Sequence, residues 1–292
     1  VPVSNTQDTA GPICRTLEDA VRVLDVIVSR DNDGHKLGGE ISFSVGHHKL
    51  PSSYGEYLNK SGLKGKRIGV LESCFGSNTR IHGETNEVVR SSIETMNRGG
   101  AEIISLQEEI DSDYLVSEVS VHLHELKDHL NAYLQDLPDD SPVHSIADIL
   151  ESGEYHSGIQ QHLQKAMTLG TETKAYDQRL MEKLKLQALV FRLFADFKLD
   201  GLVFPHQKQL VCLVGDSQNE RNGVLASVTG FPSICVPAGF SRPSKAASIG
   251  VPVGLEILGR PYNEATLIEI AYSFEQATHH RKPPPSAPQL VA

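Results

Sequence analysis

Between Asn222 and Gln276 the chain carries two short apolar runs, each hemmed by glycine and proline and each flanked by a helical pattern. Ser233 to Val236 (SICV) lies between Pro232 and Pro237 and reads as a fully buried strand. Val253 to Leu258 (VGLEIL) is a second such run, closed by Gly259, Arg260 and Pro261. Asn263 then stands at an N-cap position, with Glu264 in the first turn. Leu267, Ile270, Ala271 and Phe274 follow at spacings of three and four, the apolar stripe of a helix lying on a sheet over about Ala265–Gln276. Gly230-Phe231-Pro232 and Pro237-Ala238-Gly239 read as breakers. Two buried strands flanked by helices demand an α/β sandwich core.

The upstream sequence supplies the rest of such a sheet. Residues 1–15 read as a loop, and Thr16, with Asp19 three residues on, caps a helix over Leu17–Ser29. Its stripe is Leu17, Ala20, Val21, Leu24, Ile27 and Val28. Residues 35–65 show no periodicity. Strand Arg67–Leu71, a helix over about 84–97 and strand Ala101–Leu106 form a βαβ unit with parallel strands. The turn Ser73 to Ser77 lacks G-x-G-x-x-G and carries no phosphate claim. One long helix is expected over about 113–137, shorter ones near 145–151 and 159–169, and another long one over 174–197. The last would present Tyr176, Leu180, Leu184, Ala188, Phe191 and Ala195 on one face. Strand Leu202–Phe204 then runs into a loop, His206–Asn219. The expected fold is α/β, a mixed and largely buried sheet flanked by helices, with a mainly helical insertion at about 113–198 and a Pro-rich tail at 283–292.

A formal charge of −10 and the lack of a basic run argue against a nucleic-acid partner. No apolar run approaches the ~18 residues of a membrane span, so no membrane partner is expected. Cys14, Cys74, Cys212 and Cys235 are scattered, which points to reduced thiols in a cytoplasmic setting. Cys14 and Cys235 sit among apolar residues and read as small core side chains. His122 and His124, and His124 and His129, diverge on a helix, while His47-His48 and His279-His280 fall in loops. With no H-E-x-x-H and no Cys/His cluster in the sequence, no metal and no cofactor are expected.

The string SVTGFPSICVPAGF followed by GVPVGLEILGRPYNEATLIEIAYSFEQAT closely resembles the C-terminal end of the amidase signature family of serine hydrolases. The opening VPVSNTQDTAGPICRTLEDAVRVLDVI resembles the segment after that family's catalytic core, in the same order and direction. The resemblance is strong at the two ends and extends to the middle, about 38–216, only as element order. It implies that the D-T-x-G-P loop packs beside the active site and that the passage from LDGLVFP into 206–219 reaches its rim. Asp8, Thr9 and Arg15, with His206, Asp216, Ser217 and Asn222, are the candidate pocket or site-supporting residues. Asp8, Thr9 and Arg15 read as scaffold before substrate ligands, because buried Asp and Arg are normally satisfied pairs. Arg15 could hold a substrate carboxylate or an internal Asp.

Amide hydrolysis needs an activated nucleophile, a proton shuttle and an oxyanion hole. The family supplies them with a Ser-Ser-Lys triad in Gly/Ser-rich stretches that precede the D-T-x-G-P loop. This sequence begins at that loop, with Val1 rather than methionine, and holds no matching stretch. No residue here is therefore assigned a catalytic role. The expectation is the C-terminal portion of an amidase whose complete form acts on a small-molecule carboxamide; alternatively the chain is a non-catalytic α/β binding or interaction module.

Overall fold

The computed structural model describes residues 1–28, 50–284 and 286–287. Its sheet runs in the order β2-β1-β3-β5-β4, from β1 (Arg67–Leu71), β2 (Glu102–Leu106), β3 (Gly201–Pro205), β4 (Ser233–Phe240) and β5 (Pro252–Leu258). β2, β1 and β3 are parallel, β5 pairs antiparallel with β3, and β4 pairs antiparallel with β5, so the sheet is mixed. The helix between β1 and β2, α2 (Thr79–Arg98), is the crossover of the expected βαβ unit.

Alternating side chains send the two faces of the sheet into different helical layers. Ile68, Val70, Val203, Leu255 and Ile257 pack with α1 (Leu17–Ile27), α2 and α9 (Glu264–Thr278). Leu71, Leu106, Leu202, Phe204 and Leu258 pack with α7 (Lys174–Asp196) and α8 (Val224–Thr229). Burying each of these side chains is worth about 1.5–3 kcal/mol. Thr16 caps α1 by accepting from the Asp19 amide at 3.1 Å. Ser29, the expected last residue of that helix, and the pair His47-His48 lie outside the described residues. Asn263 is the N-cap of α9, but its Oδ1 accepts from the Thr266 hydroxyl at 2.8 Å instead of from a backbone amide.

Between β2 and β3 a short turn, α3 (Ser112–Tyr114), runs into a π-helical turn at Leu115–Val119, followed by α4 (His122–Gln135), α5 (Ile146–Ser152), α6 (Gln160–Met167) and α7. Leu126, Leu130, Leu134, Ile146, Leu163 and Ala166 form an apolar cluster of their own there.

Several expectations are corrected. β4 is an edge strand, with Ser233 and Cys235 exposed, and it continues through Pro237 to Phe240 across a bulge between Pro237 and Gly239. An edge strand tolerates a proline that a central one would reject. Cys14 and Cys235 are exposed, not core residues. The single helix expected over 113–137 breaks at Ser120–Val121, where Arg179 Nη1 donates to the Ser120 carbonyl at 2.8 Å and its Nη2 donates to that of Ser117. α7 buries Lys183, Leu186, Gln187, Val190, Leu193 and Phe194, whereas Leu184 and Ala188 face out. The aperiodic stretch at 50–65 contains a 3-10 turn, Tyr54–Tyr57, and sends Tyr54 and Leu63 into the core.

Candidate functional site

The N-terminal segment is tied down by side chains rather than by strand pairing. Asp8 closes its first turn, accepting from the amides of Val3 at 2.7 Å and Ser4 at 3.0 Å. Gln7 Oε1 accepts from the Val121 amide at 2.6 Å and so satisfies the start of α4. Ser4 and Thr6 donate to the fully buried Glu125 of α4.

This anchoring leaves a groove of about 550 Å³. It is lined by Val3, Gln7 and Asp8 of the N-terminal segment, by Val116, Ser120, His122 and Leu123, by Gln161, His162 and Lys165 of α6, and by Arg221, Val224 and Ser227. Its charged groups are mostly basic. Burial holds His122 below its ordinary pKa, and the positive charges of His162, Arg221 and Arg179 reinforce the shift while Asp8 opposes it. Its Nδ1 pairs with the Ser120 hydroxyl at 2.6 Å.

Of the residues singled out from sequence, Asp8 lines the groove and Asn222 directly follows its lining residue Arg221. Asn222 is buried and donates from Nδ2 to the carbonyls of Cys74 and Pro205, both at 2.8 Å, which fixes the end of β3 against the turn after β1. Its amide donates to the His206 carbonyl at 3.0 Å. Thr9 and Arg15 are exposed and do not line the groove. Asp216 and Ser217 are also exposed, at the tip of a turn closed by the Asp216 amide on the Leu213 carbonyl.

His206 does not face the groove. Its Nδ1 lies 2.6 Å from Glu256 Oε2. Hydrogen bonds to Cys235 and then to Glu256 raise its pKa to about 10 against the opposing effect of burial. Among the described residues, His206, Cys235 and Glu256 bring one nitrogen, one sulfur and one oxygen donor within 4.8 Å of one another. Sequence reasoning missed this trio and the buried Glu125. The signal for the first was a glutamate inside the apolar run VGLEIL.

The Amidase family profile matches residues 1–268. The chain belongs to the Amidase family. A probable amidase of Arabidopsis thaliana is 33% identical over 97% of this chain and 51% of its own length. A glutamyl-tRNA(Gln) amidotransferase polypeptide of Thermoanaerobacter pseudethanolicus is 26% identical over 97% of this chain and 57% of its own. The crystal structure of the native peptide amidase from Stenotrophomonas maltophilia superposes with a TM-score of 0.75 at 28% identity, over 97% of this chain and 56% of that one. This amidase chain therefore spans about half the length of the relatives it matches. Its mixed sheet flanked by helices is the fold of those amidase structures.

Proposed function

We propose that these residues form the C-terminal half of an enzyme that hydrolyses a small-molecule carboxamide to a carboxylate and ammonia or an amine. The observation that carries this reading is the family match over 1–268, combined with relatives about twice as long. The Ser-Ser-Lys triad, and with it the nucleophile and oxyanion donors, would come from residues outside this chain, and the reaction needs no cofactor. The groove between Asp8, His122 and Arg221 would form one wall of the substrate pocket. Thr9, Arg15, His206, Asp216, Ser217 and Asn222 would support it from the surrounding loops. Residues 113–198 would be a helical insertion in a single domain, and neither nucleic acid nor membrane would be a partner. The open edge of β4, paired with β5 on one side, would be covered by the other half, since an uncovered edge invites aggregation. Free thiols at Cys14, Cys74, Cys212 and Cys235 suit a cytoplasmic setting.

The test is to produce residues 1–292 alone and together with an upstream catalytic half, then assay ammonia or amine release from a panel of carboxamides. The expected result is activity only when the two halves are joined or co-expressed. Turnover by the short chain alone would overturn the assignment of the triad to residues outside it. A joined protein that is folded and inert would favour a non-catalytic module.

A further inference from the structure

We propose that His206, Cys235 and Glu256 bind one zinc-like divalent cation at the edge of the sheet. The three donors come from three neighbouring strands: His206 directly follows β3, Cys235 is on β4 and Glu256 is on β5. Register enforces their meeting. Glu256 is the cross-strand partner of Cys235 on one side and of Phe204, two residues before His206, on the other. Paired residues share a face, so all three point to the side of the sheet that carries Leu202, Phe204 and Leu258.

That face carries these three apolar side chains, and Glu256 is 3% exposed within it. A carboxylate so placed needs a positive partner. The His206 ring is one such partner, and the Cys235 sulfur hydrogen-bonds to the same ring, so the three side chains already converge without a cation. Nitrogen, sulfur and oxygen donors converging on one point are the ligand set that zinc and cobalt take at about 2.0–2.3 Å, with a fourth position left for solvent. Donors within 4.8 Å of one another reach such a centre by small rotations of Cys235 and His206, neither of which is fully buried.

Two glycines keep the space open. A Cβ at Gly254 would stand 2.8 Å from Cys235 Sγ and 3.3 Å from His206 Cβ. One at Gly223 would stand 2.4 Å from His206 Cε1. In this chain by itself Cys235 is exposed on the edge strand, which gives a cation an entry path.

The experiment is a titration of chelator-treated protein with Co²⁺, followed by absorption spectroscopy and then by Zn²⁺ competition. One equivalent of Co²⁺ should produce a thiolate-to-cobalt charge-transfer band that Zn²⁺ abolishes. Cys235→Ser should eliminate the band, and His206→Asn should weaken binding at least tenfold. Cys212→Ser, which removes another partly accessible thiol, should leave the spectrum unchanged. Circular dichroism of each variant checks folding, and Cys235→Ser, on an exposed edge, is the variant least able to disturb it. A parent protein without a band, or a band that survives Cys235→Ser or disappears with Cys212→Ser, overturns the site and leaves a hydrogen-bonded trio. The readout is optical, so it stands or falls independently of amide hydrolysis.

Discussion

Tyr176 donates its hydroxyl proton to Glu125 Oε1 at 2.7 Å and thereby joins α7 to α4. The same carboxylate accepts from Ser4 at 2.5 Å and from Thr6 at 2.8 Å, so one buried side chain holds three segments. Burial and the adjacent Glu125 charge both raise the Tyr176 pKa. Removing Glu125 leaves three donors without their acceptor, each costing about 1–3 kcal/mol if it stays dry. Glu125→Ala is expected to destabilise by about 2–4 kcal/mol, and Tyr176→Phe by about 0.5–1.5 kcal/mol. Urea unfolding of both single variants and the double variant measures this. The double variant should lose less than the sum, because the two share one bond. Strict additivity would show that the contact carries no energy.

His122 gives the fold a pH dependence with a definite sign. Burial lowers its folded pKa, while in the unfolded chain it titrates near ~6.5. Between those two values the unfolded state binds more protons, so stability rises with pH through that window and is lost as pH falls below ~6.5. His124 and His280 are lowered for the same reason and add to the slope. Unfolding free energies measured across this range should fall less steeply for His122→Gln than for the parent. Equal slopes would contradict the shift.

How much of this was legible depends on what each residue had to do. Ile68, Val70, Leu202, Phe204, Leu255 and Ile257 read as strands from their apolar runs, because both faces of the sheet are covered. The same letters misled at SICV. Its position at the edge is set by strand order, which local composition does not encode. On α7 the buried stripe was hidden by Lys183 and Gln187, whose heads reach the Thr6 carbonyl at 3.3 Å and the Thr229 carbonyl at 2.7 Å. Long polar side chains bury their stems while their heads find a partner, so burial does not require an apolar letter. Of the candidate site residues, Asp8 could be placed from its loop. The trio of His206, Cys235 and Glu256 becomes visible only when strand register brings distant residues into line.

Glu72 and Arg90 tie the turn after β1 to α2, and Arg90 lies 3.7 Å from the centre of the Phe75 ring. The hydrogen bonds from Arg90 hold the Glu72 pKa down against its partial burial, and Ser105 helps. A depressed folded value means that the charged form stabilises above the ordinary carboxylate pKa of ~4.3 and that the gain is lost as pH falls through the folded value. Glu72→Gln should therefore be less stable than the parent by about 0.5–1.5 kcal/mol at neutral pH. The two should converge in acid. A constant difference across the whole range would show that shape, not charge, sets the effect.

Gly62 faces the backbone of α9 at a distance that leaves no room for a methyl group. A Cβ there would stand 2.2 Å from the Glu269 carbonyl oxygen and 2.6 Å from its carbon. The contact is held closed from both sides. Ser273 Oγ donates to the Lys60 carbonyl at 2.8 Å, and Lys66 Nζ donates to Glu269 Oε2 at 2.7 Å. Because the opposing atoms are main chain, α9 must move as a unit, which loosens Leu267, Ile270 and Phe274 in the core. Gly62→Ala is expected to cost about 2–4 kcal/mol. Gly83 is the control: it lies inside α2, and a Cβ there would have nothing within 4 Å. Alanine at that position restricts the unfolded chain and favours the helix, so Gly83→Ala should stabilise by about 0.5–1 kcal/mol. Thermal melts of the two variants should thus move in opposite directions, and a Gly62→Ala protein as stable as the parent would refute the close packing of α9.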